Sequence, residues 1–210
     1  MATRETDLLQ TGGGGRFAPG LTLGEARARL FAASGFPPDG GYEDAWVKLK
    51  LWRIPLAFPN TAGRRRAVRF HDLHHVLTEY PTTWRGEFEI AAWEVAGGIR
   101  WYWEAWLLDL LGFAAGLFVW PRSVYRAFLR GRRSTNLYLD VWDDSILERR
   151  VGDVRRRLKL DAAGGPATWR DRAAFAVWAA ASLATYAATS AVVLAPAVAL
   201  LGVLWLWFRR

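Results

Sequence analysis

All three histidines of the chain fall within five residues, in the run FHDLHHVLTEYPTTWRGEFEIAAWE, residues 70–94. With the run from His71 on a helix at about 100° per residue, His75 falls about 40° from His71, Glu79 about 80°, Asp72 about 100° and His74 about −60°. His71, Asp72 and His75 thus share a face, and Glu79 falls on it one turn further. Two imidazoles and a carboxylate from one helix are three ligands for a borderline ion such as zinc or iron, with an open position left over. The plainer reading pairs the histidines with surface acids. The gathering of every histidine beside carboxylates argues for metal or catalytic chemistry.

Pro81 disfavours helix at Tyr80, so a Pro-Thr-Thr turn leads into a second helix starting near Trp84. Its first turn carries Glu87, and Glu94 lies seven residues on, about 20° away. A helical hairpin returns Glu87 beside the histidines as a fourth ligand or proton carrier, although a first-turn Glu also has an ordinary stabilising use. Glu94 is either a group that steadies the ligands or an ordinary acid. His74 reads as structural or ligand-steadying. Glu79 reads first as a solvated acid and second as a ligand.

Other chemistries fail on counts. HxxHH is the form of one desaturase box, but a diiron centre fed by several boxes cannot be built from three histidines. Residue 72 is Asp, so this is not HExxH. Ferritin-like diiron sites need two Glu-x-x-His elements and two further Glu. An HD phosphohydrolase needs further histidines. With no cysteine among 210 residues, disulfide scaffolds, zinc thiolates, thiol nucleophiles and cysteine-held iron–sulfur clusters are excluded. One mononuclear divalent ion fits: zinc first, with iron or magnesium as alternatives.

The elements that must position these residues read as helical. Residues 1–20 form a flexible N-terminus with a Gly12–Gly15 linker and no secretory signal. Order begins near Thr22, where Thr22 and Glu25 make a capping box for a helix ending at Gly35. YEDAWVKLKLW reads as a second helix that ends by Pro55, and no sustained strand alternation is seen. The expected fold is all-α, with a helical metal-binding domain over 21–165 and a C-terminal hydrophobic anchor.

That anchor is the 36-residue stretch from Ala173 to Phe208, which carries no charge. As one helix it would be about 54 Å long, too long for one straight span. Two short transmembrane helices with a break near Ser190 to Pro196 are therefore expected. Such a hairpin places Arg170 and Arg172 on the same side as Arg209 and Arg210, as the positive-inside rule prefers. The aromatic-rich stretch from Ile99 to Pro121 is expected to line an apolar cavity or lie in the interface. Residues 122–172 hold thirteen basic and seven acidic side chains, suited to anionic headgroups. The net charge of +8 also admits nucleic acid, but no nucleic-acid fold motif accompanies it, and none is expected as a partner.

The same residues resemble the ubiquinone (coenzyme Q) biosynthesis family, the fourth of the numbered Coq proteins. Its signature is HDxxH, eleven residues, then Glu: here His71, Asp72, His75, the spacer VLTEYPTTWRG, and Glu87. Pro81, Thr82 and Gly86 also agree. A second block resembles the family's end through Gly131-Arg132-Arg133, Asn136-Leu137-Tyr138, Trp142 and the run RRRLKL. The resemblance covers roughly residues 40–160. It implies an all-helical, membrane-surface protein with a divalent metal on His71, Asp72, His75 and Glu87, in which Asp72 and Glu87 also serve catalysis. It implies a polyprenylated 4-hydroxybenzoate-type lipid whose C1 carboxylate is replaced by hydroxyl. It further implies contacts with other quinone-biosynthesis enzymes. The alternative role is a non-catalytic scaffold that presents the lipid to those enzymes. The expected location is a bacterial inner membrane, with the metal-binding domain cytoplasmic.

Overall fold

A computed structural model describes residues 17–51, 54–161 and 164–209. The Gly12–Gly15 linker lies outside the described residues. Packing starts at Phe17, which is buried.

The first helix, α1 (Leu23–Ser34), carries the expected capping box: the Thr22 hydroxyl accepts from the Glu25 amide while the Glu25 carboxylate accepts from the Thr22 amide. It ends at Gly35, whose φ of 72° is the left-handed conformation that favours glycine. The expected second helix is instead an antiparallel hairpin of β1 (Trp46–Leu51) and β2 (Ile54–Pro59), in register from Trp46 opposite Pro59 to Leu51 opposite Ile54. The reason is local. Val47-Lys48-Leu49-Lys50-Leu51 alternates with period two, and Pro55 removes a donor that a continuing helix needs.

Six further helices follow: α2 (Ala62–Thr78), α3 (Trp84–Gly97), α4 (Trp103–Val119), α5 (Pro121–Arg133), α6 (Val151–Arg157) and α7 (Trp169–Phe208). Two 3-10 turns, Leu137–Leu139 and Asp144–Glu148, link α5 to α6. The helical fold class therefore holds, with seven α-helices among the described residues and one small β-hairpin. The core gathers Leu23 and Leu30 of α1, Phe70 and Leu73 of α2, Ile90 and Trp93 of α3, Phe113 of α4 and Phe128 of α5. Close approach of α5 to α3 depends on Gly131, where a Cβ would lie 2.3 Å from the Trp93 carbonyl oxygen.

The C-terminal segment differs from expectation. It is one continuous 40-residue helix, started by a Thr168–Asp171 capping box and running through Pro196. Residues 190–196 read SAVVLAP, with no Gly, Asn or Asp to take a reversing turn. A proline in an apolar helix is tolerated without ending it. Among the described residues this is the one helix long and apolar enough to cross a membrane, over Trp169–Pro196; no helical hairpin forms. Its first half packs on the domain. Trp178 stacks on Trp106 at 5.1 Å, Phe175 meets Phe113, Tyr125 and Phe128, and Tyr186 meets Phe118 at 6.0 Å. The stretch from Ile99 to Pro121 is thus a turn followed by α4, which is held between α3 and α7, with Trp101 and Trp103 exposed at one end and Phe118 and Val119 at the other.

Candidate metal centre

Helix α2 begins at Thr61, whose hydroxyl accepts from the Arg64 amide, and it carries His71 and His75 one turn apart. Their Nε2 atoms lie 3.1 Å from each other. Glu87, in the first turn of α3, straddles the pair: Oε2 is 3.3 Å from His71 Nε2 and Oε1 is 3.4 Å from His75 Nε2. Ligand bonds of about 2.0 Å to a tetrahedral ion imply donor–donor edges of about 3.3 Å, so the two imidazoles and the Glu87 carboxylate are grouped closely enough to hold a metal ion. The Gly86 that precedes Glu87 has a steric reason. A Cβ there would lie 1.8 Å from the Pro81 carbonyl oxygen, so a larger residue would push the start of α3, and Glu87 with it, off the histidines.

Hydrogen bonds set the imidazole tautomers. His75 Nδ1 donates to the Tyr80 carbonyl at 2.8 Å. That carbonyl is brought back by Glu79, which ends α2 in the left-handed conformation at φ 65°. His71 Nδ1 donates to Glu94 Oε1 at 3.0 Å. Both rings then turn Nε2 toward Glu87, the arrangement in which a carboxylate or carbonyl behind a histidine orients it for metal. Access is from one side: the Glu87 side chain is 36 % exposed and His71 19 %, against 1 % for His75.

Behind the histidines lies a buried polar network. His74 accepts from the Leu137 amide at Nε2, 2.9 Å, so its Nδ1 carries the proton and donates to Glu94 Oε1 at 2.6 Å. The Tyr138 hydroxyl donates to Glu94 Oε2 at 3.2 Å. His74 sits between the Trp93 and Tyr138 rings, an orienting position rather than a ligand one. Asn136 donates to the Gly98 carbonyl and accepts from the Tyr138 amide, which fixes the loop that brings Leu137 and Tyr138 in. Asp109 enters from α4, fully within the interior. Its Oδ2 has no hydrogen-bond partner among the described residues, and its carboxylate joins His71 and Glu94 in a second group with donor atoms within 4.8 Å of one another.

Electrostatics follow from this crowding. Burial opposes charge on His71, but Glu94 and Glu87 outweigh it and hold its pKa well above the ordinary imidazole range. Burial likewise opposes charge on Glu87 and Glu94, yet the histidines beside them keep both below the usual carboxylate range. Burial, then the negative charge of Glu94, pushes Asp109 well above it. His74 is pushed down by burial. One region thus holds anionic, neutral and cationic groups side by side, as sites that bind ions or move protons do.

The other expected residues are placed as follows. Asp72 is buried on the flank of α2, where its Oδ2 accepts from the Tyr42 hydroxyl at 2.6 Å. Among the described residues it is not in either donor group; burial raises its pKa. Glu79 does not face the histidines. It takes Arg155 at 2.7 Å, and the same guanidinium donates to the Val76, Leu77 and Phe17 carbonyls. Arg155 and Arg130, which donates to the Thr78 carbonyl, close the carbonyl end of α2 beneath the site. Asp109, Tyr138 and Tyr42 escaped sequence reasoning. Asp109 left a signal as the sole acid of an otherwise apolar helix after Glu104, and Tyr138 through the second block of the resemblance, whereas Tyr42 left none. No protein-family model matches the chain, and neither a curated protein nor a solved structure matches it.

Proposed function

We propose that this chain is a metal-dependent, membrane-linked enzyme that replaces the C1 carboxylate of a polyprenylated 4-hydroxybenzoate-type lipid with hydroxyl. The observation that carries the reading is the convergence of His71 Nε2, His75 Nε2 and Glu87 at 3.1–3.4 Å, on the residues and spacing through which the sequence resembles the ubiquinone-biosynthesis family. Further support comes from the second block of that resemblance, since Asn136 to Tyr138 closes onto Glu94 behind His71.

A divalent ion, zinc by its two nitrogens and carboxylate, would be held by His71, His75 and Glu87, with Asp72 beside them; when bound it supplies Lewis-acid polarisation of the substrate's oxygens. The protein's own groups do the rest. Glu94 and the Tyr80 carbonyl keep both imidazoles turned toward the site. Glu87, on its open side, is kept anionic by the histidines beside it and faces incoming substrate. Asp72, held by Tyr42 and raised by burial, holds a proton on the inner flank. The replacement consumes one oxygen atom and releases carbon dioxide. With dioxygen as the source, the second oxygen atom needs a two-electron donor, which suits contacts with other quinone-biosynthesis enzymes. The proposed location is the bacterial inner membrane, held by α7, with the domain on the cytoplasmic side.

The test is anaerobic purification in detergent with metal analysis, followed by turnover of a carboxyl-labelled prenylated hydroxybenzoate when dioxygen and a reductant are admitted. One ion per chain, lost in His75→Ala, and labelled carbon dioxide lost in Glu87→Gln are expected. Metal and lipid binding without any turnover by the wild type would instead identify the lipid-presenting scaffold. Full occupancy in His75→Ala would remove the metal site itself.

A further inference from the structure

The uncharged stretch of α7 divides by composition. Residues 173–190, AAFAVWAAASLATYAATS, are half alanine, with serine and threonine among the rest. Residues 191–208, AVVLAPAVALLGVLWLWF, contain no hydroxyl and are rich in valine, leucine and tryptophan. The first half packs on the domain through Phe175, Trp178 and Tyr186. Exposed alanine is tolerated by water, whereas Val192, Val193, Leu194, Trp205 and Trp207, all exposed, form a large apolar surface that calls for a lipid environment.

Length places the bilayer. Trp205 and Trp207 are exposed and Arg209 lies over the Trp205 ring at 4.0 Å, the aromatic and basic pairing of a membrane–water boundary. A hydrocarbon core of about 30 Å takes about 20 helical residues, which leads back from Trp205 to Tyr186. Aromatic residues thus stand at both ends of the measured span.

Tyr186 is also where the domain presents a second apolar feature. Phe118, in contact with Tyr186, is 68 % exposed, and Val119 beside it 56 %. Trp120 and Trp84 flank them, joined through Phe88. Around this rim stand cations: Arg85, which donates to Ser123 at the start of α5, and the exposed Arg122 and Arg126 of α5, a helix with no acid. An apolar aromatic rim with a cationic collar suits an anionic lipid surface.

We infer that residues 186–205 are the lipid-crossing part of α7, that residues 169–185 are a helix of the domain outside the hydrocarbon, and that the Trp84–Phe118–Val119–Trp120 rim with Arg85, Arg122 and Arg126 rests in the anionic headgroup layer. This rests on the membrane-linked reading of α7. It adds which part of α7 lies in lipid and which edge of the domain meets the surface.

The absence of cysteine makes the full-length chain suited to single-site spin labelling. Val119→Cys, Val141→Cys, Val177→Cys and Val192→Cys all replace exposed valines. Each labelled protein is reconstituted in mixed phosphatidylcholine–phosphatidylglycerol vesicles, floated on a density gradient, and read for relative accessibility to oxygen and to a water-soluble nickel chelate. The label at 192 should show an oxygen preference several-fold above that at 177 and 141, and the label at 119 should fall between. Adding Arg122→Glu with Arg126→Glu should shift 119 toward the aqueous value and leave 192 unchanged. A lipid signal at 177, an aqueous signal at 119, or a rim depth indifferent to the two charge reversals would overturn the placement while flotation still upheld the membrane reading. Failure to float would overturn both.

Discussion

Glu94 is the side chain on which the orientation of the site turns, and Glu94→Gln isolates its charge from its size. In the native protein Glu94 accepts from His71 Nδ1 at 3.0 Å, His74 Nδ1 at 2.6 Å and the Tyr138 hydroxyl at 3.2 Å, with no solvent exposure. Removing the whole side chain would strand three buried donors at about 1–3 kcal/mol each, comparable with the net stability of a domain, about 5–15 kcal/mol. Ala at this position is therefore expected to unfold the protein. Gln retains one acceptor oxygen for the two imidazoles and turns an amide toward Tyr138, whose hydroxyl can accept. What it loses is charge assistance, about 1 kcal/mol for each hydrogen bond. The metal-free variant should therefore fold with a lower melting temperature. Its hold on His71 is weaker, and zinc affinity should fall about 10- to 100-fold, equivalent to about 1.4–2.8 kcal/mol. The assay is competition titration against a chelator, at a temperature where circular dichroism shows both proteins folded. Asp153→Asn, which alters an exposed pair with Arg156 on α6, is the control. Zinc affinity unchanged by Glu94→Gln, with melting lowered as expected, would falsify the claim that Glu94 orients a metal ligand.

Gly86→Ala should abolish metal retention and lower stability by about 3 kcal/mol or more, because its Cβ collides with the Pro81 carbonyl oxygen at 1.8 Å; chemical denaturation and metal analysis check this. Arg155→Met should cost about 3–5 kcal/mol, since it strands Glu79 and the Val76, Leu77 and Phe17 carbonyls, read as a shift in denaturation midpoint. Glu79→Gly and Glu79→Ala both lose the Arg155 pair, but only glycine removes the strain of φ 65°, so the Gly variant should be more stable than the Ala variant by about 1 kcal/mol. His75→Ala should lose bound metal, whereas His74→Ala, which removes an orienting contact to Glu94, should retain metal with lowered affinity; plasma mass spectrometry separates the two.

What the amino-acid order determines here is local. Thr22 and Glu25 write a capping box, Gly35 a helix stop, and Pro81 with Thr83 the entry to α3, because each acts within a turn of its own position. His71 and His75, four apart on a helix, share a face whatever else the chain does, and a charge-free run of 36 residues announces an apolar helix. Tertiary structure decides the rest. Asp72 and His75 are both within four residues of His71, yet packing turns one toward Tyr42 and the other toward Glu87. Glu94 becomes the carboxylate behind His71 and His74 only when α3 lies against α2 and the loop at Asn136 folds over both. Asp109 reads in sequence as an interruption of an apolar helix; its place beside Glu94 comes from α4 crossing beneath α3. The hairpin at 46–59 arises because alternation over five residues, with Pro55 behind it, outweighs helical propensity. The 40-residue length of α7 follows from packing as well: its first half has a partner in α4, and residues 190–196 hold no Gly, Asn or Asp to turn the chain back, so one continuous helix satisfies its backbone.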